Sequence, residues 1–553
     1  MDPAKGPVTY TKFYFITGGF HMKKILAILL TVCMIIGTLT ACSKDSAGND
    51  GKASGGTASA ATNGSSDTGR PADHVTLKMY FHGSNVSDDT QVLEKVNEYL
   101  DEKLNVTLEP IWGTWGDFDN NAVLAINGGD DVDIYFTCSW SADEYNLFAK
   151  RGAWVRLDNP ENNLLEKYGK DVWNLLPEVL TNGAKIEGSD GFGVYAVPGY
   201  KDIACQLCWD INVPLLEKYG YTVDDIKNTD YYGFGEILAK VKAGEGDSFY
   251  PLLLEGAVAE RMVDNSIIVA GDSGSVNLLS YYINPKKTSD AGAYGDVILN
   301  KFATDEYKKF VNKTREYYLA GYIDPGLANA EQANNLRSEK QLTGQYLIGT
   351  QSYSLGYETQ ASAERGFEVA FVGTTPAYVD TTSSQGAMMA ISTASKNPDR
   401  AMMFLNLLNT DPYLFTLLDY GVEGIHYTKN SIGEVEFIED ARAKYSPWTN
   451  GMGNVTLLPP QKGQGADFWT NFKAYYGAAD QIPILGFTFN SDSVSNELAA
   501  VANAAAEYAL TLSVGAVDPE TVLPAFLKKL DDNGMQKIVD EANKQLKAFL
   551  ANK

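Results

Sequence analysis

Histidine is almost missing from this chain: His21, His74, His82 and His426 are the only four in 553 residues. That scarcity removes most imidazole-based acid–base catalysis and most zinc chemistry. Positive charge is also short, with 45 Lys and Arg against 70 Asp and Glu and a formal net charge of −25. A nucleic-acid binder needs a basic face to displace counterions, so that class is set aside. Cysteine is sparse, at five. Glycine (51) and proline (20) are ordinary, which excludes collagen-like and largely disordered chains. What is present is a 44% hydrophobic chain. Single cores stop growing at about 250–300 residues, so this length implies at least two lobes.

The one long apolar run, Ile25–Leu39, follows Lys23-Lys24 and ends in Leu39-Thr40-Ala41-Cys42. It is too short and wrongly flanked for an ordinary membrane span. Small residues before a cysteine suit a peptidase acting on an extended chain, and the Cys42 thiolate would accept a diacylglyceryl group. Residues 22–41 therefore read as a bacterial lipoprotein signal peptide, with lipidation expected at Cys42. Residues 1–21 carry no signal logic and are expected to be an upstream extension, with Met22 as the true start. Residues 42–73 are rich in Ser, Gly, Ala and Asp and read as a flexible tether. Removing residues 1–41 takes away four Lys and one Asp, leaving −28. An acyl anchor plus a tether places the body on the extracellular face of the cytoplasmic membrane.

Beyond residue 73 the pattern alternates. Val75–Phe81 reads as a strand, Asp88–Leu104 as an amphipathic helix, and Val106–Ile111 as a strand. Phe118–Ile126 reads as a helix and Val132–Phe136 as a third strand. This β-α-β-α-β run opens an α/β sheet with ligand loops at strand C-termini. At the other end, Asp518-Pro519 caps a helix, Gly534 stops it, and Met535–Leu550 forms another. Cys205-Gln-Leu-Cys208 is a lone CxxC in an apolar strand-like segment. A zinc ribbon needs two such pairs, so packing is the expected role.

Several motifs occur in a telling order. Asn127-Gly-Gly-Asp-Asp-Val-Asp133 leads into the third strand, and Gly193-Val-Tyr-Ala-Val-Pro198 precedes Asp210-Ile-Asn212 and Leu216-Glu-Lys-Tyr-Gly220. Ser395-Lys-Asn-Pro-Asp-Arg-Ala401 comes next, then Gly421-Val-Glu-Gly424 and Ile484-Leu-Gly-Phe-Thr-Phe489. With the lipobox, this series resembles extracellular solute-binding proteins of family 1, and its end resembles the C-terminal region of LplA-type lipoproteins. The resemblance implies an α/β, two-lobed periplasmic-binding-protein-like (type II) fold with discontinuous lobes, a hinge and a cleft site. Lobe 1 is expected at 74–197 and 378–420, and lobe 2 at 203–372 and 425–553. It further implies a monomeric receptor that delivers solute to the permease of an ATP-binding-cassette (ABC) importer, without catalysis or cofactor.

Aromatic residues point to the solute. Sugars offer apolar C–H faces for flat rings and a hydroxyl rim for polar partners. Ring and polar candidates at the expected ligand loops are His82, Asn85, Trp112, Trp115, Ser139, Trp140, Asp143, Tyr200, Gln351, Tyr353, Tyr445, Trp448 and Asn450. Sugars are neutral, so the acidic balance does not repel them, whereas it disfavours anionic ligands unless a local basic pocket overrides it. A neutral oligosaccharide is the preferred class. Trp154, Trp173 and Trp209 read as core.

Other patterns fall short. Gly271-Asp-Ser-Gly274 mimics a protease nucleophile turn without an oriented His. Asp117, Asp119 and Asn121 begin like an EF-hand, but Ala122 stands at the turn glycine and Gly128 at the bidentate acid. Asp130, Asp131 and Asp133 read as a turn, and no metal site is expected. Two alternatives remain: a peptide or other small-solute receptor on the same fold, which needs fixed Arg and Asp partners, and a secreted glycosidase, for which Glu255 and Asp143 are the acids to suspect.

Overall fold

In the computed structural model the described residues are 70–551, apart from 84–85, 115–116, 142, 265, 272–276, 283–296, 331, 376 and 449–450. The expected signal peptide, tether and Cys42, together with Asn85, Trp115 and Asn450, lie outside them.

The first sheet is built from β1 (Val75–His82), β2 (Val106–Gly113), β3 (Ile134–Thr137), β4 (Val197–Pro198) and a late strand introduced below as β9. β1 pairs in parallel with both β2 and β3. Parallel neighbours need crossovers, and helices Thr90–Leu104 and Phe118–Gly128 supply them. Val92, Val96 and Leu100 fall on one face of the first helix and are fully buried. Asn105 takes the left-handed conformation at that helix's end (φ 53), where its short polar side chain is tolerated. The Asp130–Asp133 turn is structural, as read: Asp133 accepts from the Lys78 backbone N–H (2.9 Å) and the Ser395 hydroxyl (2.5 Å).

The second sheet takes β5 (Leu207–Asn212), β6 (Leu252–Leu253), β7 (Ile348–Ser352) and β8 (Val369–Gly373), in the order β8-β5-β7-β6. β9 (Met388–Ile391) then returns to the first sheet between β3 and β4, completing the order β2-β1-β3-β9-β4. Every residue of β5 is buried, including Asp210. Asp210 is held by Arg365 (2.7 Å), the Tyr346 hydroxyl (2.8 Å) and the Gln341 amide (3.1 Å). That set satisfies a charge that could not otherwise be buried. The C-terminal helices Ser495–Ser513, Pro519–Asp532 and Met535–Ala551 close the second core, and Asn543 clamps the backbone of Ile298 with two 2.8 Å bonds.

Two separate hydrophobic cores result. One gathers Leu77, Phe81, Phe136, Met389 and Leu405; the other gathers Trp209, Ile211, Ile348, Phe526 and Ile538. Three chain segments join them. In the first, Cys205 pairs antiparallel with Tyr378 of the second, through bonds of 2.7 and 3.1 Å. Tyr378-Val379 pairs in parallel with Asp480-Gln481 of the third.

The third crossing departs from the expectation of residues 420–425. Tyr427, Val435, Tyr445, Met452, Leu458, Phe472 and Tyr476 all bury into the first core, and the chain enters the second core only from Ile482. Residues 425–476 thus extend lobe 1. Their short strands and turns lack the apolar period that would have announced where they pack.

Replacing Arg365 by Met strands Asp210 inside lobe 2 and should cost about 3–5 kcal/mol. A lower urea midpoint would show it, and adding Asp210→Asn should recover part of the loss. An unchanged midpoint would show that Asp210 needs no cation.

Candidate functional site

Residues from both lobes and from the crossings enclose a cavity of about 670 Å³. Ser139 and Trp140 come from the loop after β3. Lys201, Asp202, Cys205 and Gln206 come from the first crossing, and Thr382, Ser383 and Gly386 from the second. Glu255, Arg261, Asn277, Ser352 and Tyr353 come from lobe 2. A larger cavity of about 780 Å³, around Tyr99, Tyr413 and Tyr427, is lined by lobe 1 alone. Of these two, the first has the two-sided geometry that a closing cleft needs; a smaller two-sided cavity of about 330 Å³, between Glu144 and Asn490, shares Ser139 and Gly271 with it.

Trp140 is the best-placed aromatic. Its side chain is 46% exposed, yet Nε1–H donates to the Gly386 carbonyl at 2.9 Å. Its ring abuts Phe136 (5.9 Å) and the half-buried Trp448 (6.1 Å). Trp448 in turn stacks on Phe81 (6.3 Å, 14°), and a Cβ at Gly451 would sit 2.7 Å from its ring. A chain of packed rings therefore holds Trp140 while leaving a face open. Ser139 ties the same loop to the second crossing through its hydroxyl, which donates to Thr382 O at 2.9 Å. Tyr353 enters from lobe 2, with Phe371 and Tyr475 edge-on. Burial, followed by the nearby Glu358, raises its phenol above the ordinary value, so it serves as a neutral hydrogen-bonding group.

The polar lining is mostly paired. Lys201 bonds Asp202, whose other oxygen accepts from the Ser354 hydroxyl (2.6 Å). Glu255 is held by Arg337 at 2.6 Å. Gln206 donates to Thr375 O (2.7 Å) and accepts from the Tyr475 hydroxyl. Such fixed amides and hydroxyls in an aromatic cleft suit recognition of a polar, uncharged solute.

Of the sequence candidates, Ser139, Trp140 and Tyr353 line the cavity. Trp448 buttresses it. Gln351 is adjacent to the lining but turns its amide to Ser352 O (3.0 Å). Five candidates are placed elsewhere. His82 is 1% exposed and stacks on Phe118 at 3.8 Å, because β1 is flanked on both sides and its last residue lies under neighbouring rings. Asp143 is fully buried. Tyr445 is also fully buried and donates to Leu418 O at 2.7 Å. Tyr200 is buried against Phe472. Trp112, half-buried, donates to Asp89 (2.8 Å) and packs on Gly83. Glu255 and Asp143, the acids suspected for a glycosidase, do not meet: one lines the cavity in an ion pair, the other is in the core. Cys205 and Cys208 are free thiols. The sequence reading missed Lys201, Asp202, Gln206 and Arg261. The first three directly follow the hinge-entry motif and were within reach of it. Arg261 lies mid-helix in Gly256–Asp264, where no local signal shows which way the face turns.

Comparisons with known proteins agree with this fold. Residues 483–551, which begin just past the third crossing, match a domain of unknown function (DUF3502). A curated relative from Streptococcus pneumoniae serotype 4 (strain ATCC BAA-334 / TIGR4), named carbohydrate ABC transporter substrate-binding protein, is 26% identical over 486 residues, 87% of this chain and 92% of that one. The N-glycan transport solute binding protein NgtS from Streptococcus pneumoniae superposes with a TM-score of 0.73 at 24% identity, over 86% of this chain and 99% of that one. Its complex with Man5GlcNAc gives 0.67 at 24% identity over the same shares. The fold is that of the extracellular solute-binding proteins, two-lobed and periplasmic-binding-protein-like. Along its body the chain is homologous to a carbohydrate ABC transporter substrate-binding protein.

The buried His82 ring makes a pH prediction. Burial lowers its pKa to about 4, while an unfolded histidine protonates near 6.5. Between those values the unfolded state binds the extra proton, so stability falls as pH drops from 6.5 toward 4. His82→Phe should remove about 2 kcal/mol of the stability difference between pH 7 and pH 4.5. Urea midpoints at the two pH values measure this, and an identical difference in both proteins would refute it.

Proposed function

We propose that this chain is the lipid-anchored, extracellular receptor of an ABC importer that captures a neutral carbohydrate, most simply an oligosaccharide, by hinge closure. The observation that carries the reading is the two-sided cavity at the three-strand hinge, with Trp140 from one lobe and Tyr353 from the other. A sugar ring stacks on the open face of Trp140, while Ser139, Asp202, Gln206 and Asn277 take its hydroxyls. Because ligand contacts both lobes, it favours the closed arrangement by the contacts that exist only there. The closed lobes then present themselves to the permease subunits. The relative's name and the glycan in the NgtS complex support the carbohydrate class. The lipobox supports anchoring through Cys42 at the outer face of the membrane, and the family resemblance supports a monomer that binds rather than transforms its solute. A peptide or other small solute is the second reading. One observation favours it: Arg261 and Asp202 both line the cavity, as a ligand with both charges requires.

Calorimetric titration with Man5GlcNAc and with manno-, xylo-, gluco-, galacto- and fructo-oligosaccharides tests the proposal. Saturable binding of at least one, without chain shortening, is expected. Trp140→Ala should weaken it about tenfold or more, or ~1.4 kcal/mol. Silence across the panel, with heat from short peptides, would favour the second reading. Shortened sugar would make the protein an enzyme.

A further inference from the structure

Four charged side chains of the described residues line the cleft, and they are not alike. Lys201 is paired with Asp202, and Glu255 with Arg337. Arg261 makes no salt bridge among the described residues, although the Asp380 carboxylate is close enough to favour its charge. Its Nη2 donates to the Tyr378 hydroxyl at 3.4 Å and toward the Cys205 sulfur at 3.6 Å, both long contacts. Its Nε is buried and has no acceptor among the described residues. A guanidinium carries five N–H donors in a rigid fork. Here the hinge engages Nη2 through long contacts, Nε is buried, and the side chain lies on the cavity wall.

The cost of that arrangement is the argument. A buried donor left without an acceptor is expensive, and more so when it is charged. The two tyrosyl and thiol contacts orient the plane without using up its donors. They also come from two different crossings: Cys205 belongs to the first and Tyr378 to the second, and these are bonded to each other. Arg261 itself belongs to lobe 2. The guanidinium is thus placed by the hinge and faces the cleft.

We propose that Arg261 is the lobe-2 anchor of the bound solute, donating from its free edge to oxygen atoms of a sugar ring, and that it sets which epimer the cleft accepts. This rests on the oligosaccharide reading. Trp140 recognises the flat face of a sugar and tolerates many rings. A fork of fixed donors distinguishes two hydroxyl orientations, because the wrong one leaves the donors unmet.

The test uses the whole chain, with Man5GlcNAc as probe, or the panel member that gives the tighter isotherm. Arg261→Ala should weaken binding at least tenfold and narrow the preference between epimeric series, with the unliganded melting midpoint unlowered because a costly buried donor is removed. Arg261→Lys keeps the charge and loses the fork, and should still lose epimer preference if the alanine variant fails to fold. A third measurement needs no variant. Cys205 is the partly exposed cysteine beside Arg261, whereas Cys138 and Cys208 are buried references. Saturating sugar should slow its labelling by methyl methanethiosulfonate several-fold, read by peptide mass mapping. If the wild type binds sugar while both variants bind equally well and Cys205 labels at an unchanged rate, the Arg261 assignment is wrong and the receptor reading stands. If the wild type binds no sugar, both fall together.

Discussion

Everything in this protein depends on three short stretches of backbone that bond to one another between two cores. Tyr378 sits in the middle, exchanging hydrogen bonds with Cys205 on one side and pairing along Asp480 and Gln481 on the other. Backbone pairing of that kind resists sliding, because a shift of one residue breaks the ladder and turns every side chain over. It tolerates twisting, since each crossing is only a few residues long. These pairings tie the two cores together through three backbone strands placed side by side. The cavity lies against those crossings, so its lining includes residues of both lobes and of the segments that join them. This is why Ser139, whose hydroxyl reaches Thr382 in the second crossing, and Gln206, which reaches Thr375, are as much a part of the hinge as of the site.

Charge follows a similar division. The chain carries a large acidic excess, yet the cleft does not express it. Asp202 and Glu255 are each neutralised by a cation, and Asp210, the deepest acid of lobe 2, is enclosed by Arg365, Tyr346 and Gln341. The acidic surplus is carried by the rest of the molecule, where solvent screens it. A cleft of paired charges and fixed dipoles holds an uncharged polar solute by geometry more than by field. Arg261 is the lining cation that makes no salt bridge among the described residues.

Much of the architecture was legible in the residues, for local reasons. The first helix shows Val92, Val96 and Leu100 at helical spacing, the strands show β-branched and aromatic runs, and Asp518-Pro519 and Gly534 mark helix ends that the structure keeps. The third crossing was not legible. Residues 425–476 pack by scattered large side chains such as Tyr445 and Met452, and no period announces a partner that lies hundreds of residues away. The site divides along the same line. Trp140 was visible because a loop after a short buried strand must emerge at the sheet's end. His82 and Tyr445 looked equivalent in sequence, but whether a residue at a strand end meets solvent depends on what covers it. For His82 that cover is Phe118, from the second crossover helix. Arg261 was invisible because the face a short helix presents is decided by the core beneath it.

The ring stack behind Trp140 explains why this tryptophan, among eight, can serve the cleft. Phe81 and Phe136 project from adjoining strands of the first sheet, Trp448 stacks on Phe81 and stands edge-on to Phe136, and Trp140 leans on both Phe136 and Trp448. The indole N–H is already spent on the Gly386 carbonyl. An exposed aromatic on a free loop would lose side-chain entropy when a sugar stacked on it, and that loss would be subtracted from the affinity. Here the loss is met at folding, by burial of the rings below and by one hydrogen bond to the second crossing. Because that crossing also joins the two cores, one bond ties the exposed indole to the backbone between them.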